Sequence, residues 1–433
     1  MNVRPIALDV LSRWEEGAQY INLALGYKLG GLEEADRRFL TALVYGTVEK
    51  CITLDYYIGV LSGRGALDAT TRNILRLGLY ELLYLNTPRH AAVSLTVDLA
   101  RNSGERGFVN GCLRSALRSP ELLVPPPRER NLARHLSVKY SVPRDTVRLF
   151  LEIFGEEEIE IFLTSVNSRT GMTLRVNTLR TTREDYLARL AEAGIDATPT
   201  PHAPASVYLP ESYPPKALPG WEEGLFFVQD EASAVAVCAL GAEAHHRVLD
   251  LCACPGGKSF GAAMDMQNEG TLRAYDLHPA KLSLVEEGAR RLGLSVIETA
   301  AQDAADPDPR LIGWADRIIC DVPCSGLGVL SKKADLRYKD LEAVSNLPAL
   351  QYEILSAAAL CLAEGGRLIY STCTVCPQEN EAVTDRFLEA HPDFTYVPFE
   401  VGGLSAPLGH LTLYPHIHRT DGFYIARLER RHA

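Results

Sequence analysis

The stretch Val248–Ser259 reads VLDLCACPGGKS, and its reading decides the fold. The apolar residues Val248, Leu249 and Leu251 predict a buried strand that breaks at Pro255-Gly256-Gly257. Lys258 and the Ala- and Met-containing segment after it predict the start of a helix. Glycines at such a strand-to-helix turn let the backbone approach a ligand closely, and the helix N-terminus offers N–H groups with no partner inside the helix. About 20 residues on, TLRAYDLHPAKL (Thr271–Leu282) ends a second short strand at Asp276, where a carboxylate can accept the two hydroxyls of a ribose. The glycine pattern is neither G-x-G-x-x-G nor G-x-x-x-x-G-K-[ST], which argues against a dinucleotide or a nucleoside triphosphate.

Working outward, IICDVPCSGLG (Ile318–Gly328) is an apolar strand running into Asp-x-Pro-Cys-Ser-Gly, and GGRLIYSTCTVCPQENE (Gly365–Glu381) is a strand running into Ser-Thr-Cys. These place Asp321, Cys324 and Cys373 at carboxyl ends of strands, where open α/β sheets bind their ligands. TAAQDAAD (Thr299–Asp306) sets Asp303 after another strand. From Arg247 on, VLDL, GTLRAYD, LSVIET, ADRIICD and GGRLIYS alternate with helical stretches, predicting a mostly parallel sheet covered on both faces.

Together these stretches resemble the RNA cytosine-C5 methyltransferases of the RsmB/NOP family, nearest to the bacterial RsmB/Sun (Fmu) type that modifies small-subunit 16S ribosomal RNA. The resemblance implies a Rossmann-like class I methyltransferase domain, S-adenosyl-L-methionine as cofactor, and the cytosine-967 type of activity. The chemistry explains the residue types. An aromatic carbon such as cytosine C5 is a poor nucleophile, and a thiolate adding to C6 gives C5 carbanion character. Cys373 resembles the family nucleophile, Cys324 the second cysteine linked to resolving the adduct, and Asp321 stands where it can meet the base edge. Cofactor contacts are implied for Cys252, Ala253, Cys254, Pro255, Gly256, Gly257, Lys258, Asp276, Asp303 and Asp321, with Asp303 at the adenine end. The family commonly has alanine where Cys254 stands, so that cysteine is assigned packing alone.

Each residue has a plainer reading. A lone cysteine at a strand end is more often a small buried hydrophobe, but two in these contexts reverse the odds. Lys258 serves the active centre or the substrate phosphate, or else it caps surface charge. Asp303 is nearly as well read as a turn-former. Cys373-x-x-Cys376, with no second pair or spaced histidines, is poor evidence for zinc, and no metal is expected.

The remaining chain supplies recruitment. At 433 residues it has room for two or three domains, and its 46% hydrophobic and 23% charged composition is globular, with no run long enough to span a bilayer. The N-terminal MNVRPIALDVLSRWEEG reads as amphipathic, without a signal peptide's apolar core or cleavage site, and ten scattered cysteines read as reduced thiols in cytoplasm. A net charge of −11 argues against indiscriminate coating of nucleic acid, though not against a local basic groove. The first ~125 residues show apolar spacing of three and four, with Leu75, Leu79, Leu82 and Leu83 predicted on one core stripe. Through DRRFLTALVYGTV, RNILRLGLYELLYL, AAVSLTVDLA and GFVNGCLRSAL, Ala7–Arg118 resembles the all-α NusB-like domain. That implies a recruiting role, with Arg101, Arg106, Arg114 and Arg118 as phosphate contacts or else a solvated face.

VPPPRERN (Val124–Asn131) reads as a linker. Helices follow, broken at Gly155, then MTLRVNTL, REDYLARLAEAG and ASVYL form a strand–helix–strand unit resembling the family's small α+β RNA-recognition-like subdomain. Family members usually carry a His-Pro-x-Trp-like stretch where this chain has Val138–Arg144. The Gln229–Ser233 turn (QDEAS) leads into the catalytic domain, and His416, Asp421, Gly422 and Phe423 match the closing signature around a final strand pair. The expected domains are 1–125, 131–220 and 221–433, in a monomer. The target base must be flipped out or single-stranded to reach the cofactor. Lys332, Lys333, Arg337 and Lys339 are candidates to hold the RNA backbone, with Tyr338 stacking on a base, against a solvated loop. Two rival functions remain: a tRNA methyltransferase with the same catalytic residues, and a non-catalytic NusB-like RNA-binding factor.

Overall fold

The computed structural model describes residues 1–17, 21–63, 66–168 and 171–432. The chain forms two compact units, Met1–Asn167 with Lys333–Lys339, and Ser168–Lys332 with Asp340–Ala433.

The first unit is helical: α1 (Arg4–Glu15), α2 (Ile21–Gly26), α3 (Glu34–Glu49), α4 (Cys51–Ser62), α5 (Ala69–Tyr84), α6 (Arg89–Val97), α7 (Ser103–Arg118), α8 (Leu132–Tyr140) and α9 (Arg144–Ser165). Side-chain caps start several of them. Asp68 accepts from Thr71 N at 3.1 Å, Asn102 from Glu105 N at 3.0 Å and Asn131 from Arg134 N at 2.8 Å. Leu11, Leu43, Leu54, Leu75, Leu79 and Leu113 fill one core. The predicted stripe on α5 is corrected at one position, since Leu83 is 38% exposed. At 3.6 residues per turn it lies about 80° around the helix from Leu75, beyond the buried face. Gly155, with φ of 69°, breaks α9 where the sequence predicts.

Residues 333–339 belong to this unit, and within them Arg337 and Tyr338 are corrected from RNA contacts to protein contacts, whereas Lys333 stays exposed. Ala334 joins the helical core, and Arg337 is 2% exposed. The Arg337 guanidinium donates to Asn167 Oδ1 at 2.8 Å and to Val166 O at 3.0 Å. Tyr338 donates to Val48 O and meets the Trp14 ring edge-on at 5.5 Å.

The second unit carries two main sheets. Strands β1 (Met172–Val176), β2 (Thr198–Pro199), β3 (Ser206–Leu209) and β4 (Phe226–Val228) pair antiparallel in the order β2-β3-β1-β4. Helix α10 (Arg183–Glu192) buries Tyr186 and Leu190 with Leu174, Val207 and Phe226 in their core. This is the expected small α+β subdomain.

In the larger sheet, β5 (Arg247–Asp250), β6 (Thr271–Asp276), β7 (Ile297–Ala301), β8 (Ala315–Asp321) and β9 (Leu362–Thr372) run parallel. After β10 (Phe394–Tyr396) and a hairpin of β11 (Phe399–Val401) and β12 (Leu404–Ala406), β13 (His410–Leu413) and β14 (Phe423–Arg430) form the expected final pair. The order is β10-β14-β9-β8-β5-β6-β7. Helices α11 (Glu231–Leu240), α12 (Gly257–Asp265) and α13 (Pro279–Leu292) join one core with Val248, Ile319 and Ile369. Helices α14 (Leu347–Cys361) and α15 (Glu381–Ala390) join the other with Leu249, Ile318 and Leu368. Alternation along each strand thus feeds both faces, as a sheet with helices on both sides requires. The short α16 (Pro415–His418) separates β13 from β14. Among the described residues, no helix is long and apolar enough to cross a membrane.

Candidate active site

The site lies along the carboxyl ends of β9, β8, β5, β6 and β7. Register aligns the motifs: Asp250 pairs with Ile319, Asp321 with Ser371, and Asp276 with Ala301. At the centre the chain leaves β5 through Cys252–Pro255 and turns at Gly256, whose φ is 110°. A Cβ there would lie 2.4 Å from the Phe260 ring, and one on Gly288 of α13 would lie 2.3 Å from the same ring. Phe260 is therefore clamped between two glycines, which locks the first turn of α12 against α13.

Asp276 organises one side. One carboxylate oxygen accepts from Cys254 N at 3.3 Å and the other from His278 N at 3.0 Å, so the group is fixed at the strand end while remaining partly exposed. Asp303 is exposed two residues beyond β7, with Oδ1 accepting from Ala305 N at 2.9 Å. Behind the turn, Asp250 is fully buried and accepts from Ser259 Oγ at 2.6 Å. Burial pushes its carboxyl up to about 7, against the Ser259 hydrogen bond and with the Asp321 charge adding to the rise. Burial likewise raises the Cys252 thiol and takes that of Cys254 to about 12, so neither is a ready thiolate.

The other side holds the reactive groups. Lys258 Nζ lies 2.7 Å from Asp321 Oδ2 and 3.4 Å from Ser233 Oγ, over the Phe423 ring at 5.1 Å. Burial is the largest single effect and pulls the ammonium down, but the Asp321 charge and hydrogen bond, with the charges of Asp250 and Cys373, together outweigh it and hold Lys258 above its ordinary range. Ser371 Oγ donates to Asp321 Oδ1 at 2.7 Å, so both oxygens of Asp321 are engaged. Cys324 and Cys373 meet with their sulfurs 3.1 Å apart. Contact with Cys373, then burial, lifts the Cys324 thiol well above the ordinary range. Two thiols in contact, beside a carboxylate pinned by a lysine and a serine, can share one planar substrate. Of the open readings of Lys258, the geometry favours the active centre over surface charge.

Lys332 stands elsewhere than expected. Its ammonium bridges Asp230 and Asp421, the latter at 2.8 Å, so its charge is spent inside the protein rather than on a phosphate. Of the closing signature, Asp421 serves this bridge, Phe423 underlies Lys258, and Gly422 N donates to Gly328 O at 2.9 Å. His416 lies apart in α16. Sequence reasoning assigned no role to Ser371 and Ser233, although Ser371 opens the Ser-Thr-Cys stretch and Ser233 closes the QDEAS turn. In the helical unit, Arg101 is tied to Glu105 at 2.8 Å and Asp68 at 2.9 Å, whereas Arg106 and Arg114 line a groove of about 830 Å³ between α6 and α7. No cluster of metal-ligating side chains occurs among the described residues.

A Rossmann-like parallel sheet with a Gly-rich turn, a ribose-spaced carboxylate and a terminal antiparallel strand defines a methyltransferase domain. Family models agree in order along the chain: the NusB family over residues 1–118, the RsmF/B-like ferredoxin-like domain over 143–215, and 16S rRNA methyltransferase RsmB/F over 237–429. A protein of Synechocystis, named probable ribosomal RNA small subunit methyltransferase B, is 35% identical over 99% of this chain and 100% of its own. Its namesake in Bacillus subtilis is 34% identical over 99% of each chain. A solved methyltransferase homologue from Pyrococcus horikoshii matches 70% of this chain and 99% of its own, with 25% identity and a TM-score of 0.61. The chain belongs to the RsmB/F family of RNA methyltransferases.

Proposed function

We propose that this protein methylates C5 of a cytosine in 16S ribosomal RNA, at the cytosine-967 type of site, with S-adenosyl-L-methionine as cofactor and through a covalent cysteine adduct. The observation that carries the reading is the pair of thiols 3.1 Å apart at the ends of β8 and β9, with Asp321 alongside. The relatives' names supply ribosomal RNA as the substrate class.

The residues fit the cofactor. Asp276 offers a fixed, partly exposed carboxylate to a ribose, Asp303 an exposed acceptor farther along the edge, and Gly257 a helix-N-terminal peptide where a Cβ would make ordinary contact with Gln229 Nε2 at 3.6 Å. Bound S-adenosyl-L-methionine supplies an electrophilic methyl group. Cys373 forms the S–C6 bond, and the C5–C6 π pair moves to C5, the carbon that gains the methyl group. Asp321, fixed by Lys258 and Ser371, meets the N3/N4 edge. Once C5 carries both hydrogen and methyl, removal of the C5 proton restores the double bond and expels Cys373 as thiolate, with Cys324 serving that resolving step. The base reaches these groups flipped out or from single-stranded RNA.

The division of labour follows 1–125 for recruitment, 131–220 for RNA support and 221–433 for catalysis, in a cytoplasmic monomer. Bisulfite sequencing of ribosomal RNA from a deletion strain tests the function: one 5-methylcytosine in 16S rRNA should disappear and return on complementation. An unchanged 16S pattern, or loss of a tRNA methylation instead, overturns it.

A further inference from the structure

Cys324 and Cys373 sit on separate chain segments, yet their immediate neighbours converge on one buried dipeptide after the Ser-Thr-Cys strand. Glu379 is 5% exposed and Asn380 fully buried. Glu379 Oε2 accepts from Ser325 N at 2.8 Å and from Gln351 Nε2 at 2.9 Å. The same Gln351 nitrogen donates to Pro323 O at 2.9 Å. The peptides before and after Cys324 are thus both pinned by one carboxyl–carboxamide pair. Gln351 leaves its own buried Oε1 without a partner among the described residues to do so. That is an arrangement with a cost, as unpaired buried acceptors have.

Asn380 does the equivalent for the other cysteine. Its Oδ1 accepts from Thr372 Oγ1 at 2.6 Å and its Nδ2 donates to Thr374 O at 3.1 Å, so it brackets Cys373 from both sides. Ser325 Oγ then donates to Thr374 Oγ1 at 2.9 Å, joining the two brackets. Tyr370 OH holds the dipeptide itself through Glu379 O at 2.6 Å. Gly328 N donates to Cys373 O at 3.0 Å, where a Cβ on Gly328 would lie 1.9 Å from Gly422 O.

We propose that Glu379, with Gln351, and Asn380 are the positioning residues that hold Cys324 and Cys373 in register over one substrate base. The inference rests on the covalent reading above. Each of the three acts through peptides or hydroxyls flanking a cysteine. Glu379 also contributes negative charge that adds to the rise of the Cys324 thiol, behind contact with Cys373 and burial. The two halves of the device therefore serve different steps, Asn380 the attack and Glu379 the resolution.

The test is steady-state methylation of 16S rRNA by the full chain, with denaturing gels for RNA–protein adducts. Glu379→Met and Gln351→Met, which remove the polar groups at nearly constant size, should lower kcat by on the order of tenfold to a hundredfold, the cost of small misplacements of reacting groups. KM for RNA and cofactor affinity should stay unchanged, and adduct should accumulate as it does with Cys324→Ala. Asn380→Asp, which replaces the donor to Thr374 O by an acceptor, should instead form little adduct. Melting curves identify any variant that fails to fold, and the folded member of the Glu379/Gln351 pair then decides. If Cys324→Ala traps no RNA, the covalent reading fails and takes this inference with it. If Cys324→Ala traps RNA while Glu379→Met or Gln351→Met turns over at the wild-type rate, or loses activity through KM alone, only the positioning role is overturned.

Discussion

Lys258 Nζ lies 2.7 Å from Asp321 Oδ2, and this ion pair ties the glycine turn after β5 to the carboxylate at the end of β8. Lys258→Met should leave Asp321 with Ser371 alone. Removing one partner of a mostly buried pair should cost about 2–3 kcal/mol, below the fully buried limit because Asp321 is 29% exposed. The loss is read from chemical denaturation. Lys258 is held above its ordinary value, so the pair's contribution is fully present below about pH 10 and fades only as pH rises through the folded value. Wild type and variant should therefore differ by a constant amount across neutral pH.

Asp250 has the opposite signature. Its carboxyl is raised to about 7 in the folded chain, while an unfolded aspartate ionises near 4. Between those values the unfolded chain releases a proton that the folded chain keeps, so this group lowers stability as pH rises through about 4 to 7. Asp250→Asn, which can still accept from Ser259, should remove that decline. Urea denaturation of both proteins across the window checks it; parallel pH profiles would refute the buried-acid description.

Asp276 already accepts two backbone N–H bonds and still presents a partly exposed carboxylate. Asp276→Ala should weaken cofactor binding by about 1–3 kcal/mol, the cost of leaving ligand hydroxyls unpaired. Calorimetry with S-adenosylhomocysteine measures it, and unchanged affinity contradicts the assignment.

Arg106 and Arg114 line the α6–α7 groove, whereas Lys332 is spent on Asp230 and Asp421. Changing each arginine to glutamine should lower RNA affinity and reduce the salt slope by about one phosphate contact. Lys332→Met should instead lower the melting temperature and leave the salt slope unaltered. Point substitutions are the appropriate probe. Deleting residues before Arg130 would strip the helical core from Ala334 and Tyr338.

The parallel strands were legible because each is an apolar run ending in a recognisable turn, and the carboxyl edge then follows from topology. Asp276, Asp321, Cys324 and Cys373 accordingly lie along one edge. What the sequence hid is which polar residues are buried. Lys332, Arg337 and Tyr338 read as a basic, aromatic RNA grip, but charge in a sequence carries no information about its partner. Here the partners are Asp230 and Asp421 for Lys332, and Asn167 and the Val166 and Val48 carbonyls for the other two. Glu379 and Asn380 have the same disguise, since QENE after a turn looks like a solvated helix start. Leu83 failed in the other direction, its hydrophobicity suggesting a core that the helical period does not reach.

The central claim, that two cysteines act in succession on one base, is tested most directly by trapping the adduct. Purified Cys324→Ala, incubated with cofactor and 16S rRNA, should give a protein–RNA band that survives denaturing electrophoresis, because Cys373 still attacks C6 but release stalls. Cys373→Ala should give neither band nor methyl transfer, and the double variant should lose the band. A band with Cys373→Ala and none with Cys324→Ala would reverse the roles. No band with either, alongside normal cofactor binding, would contradict covalent C5 chemistry.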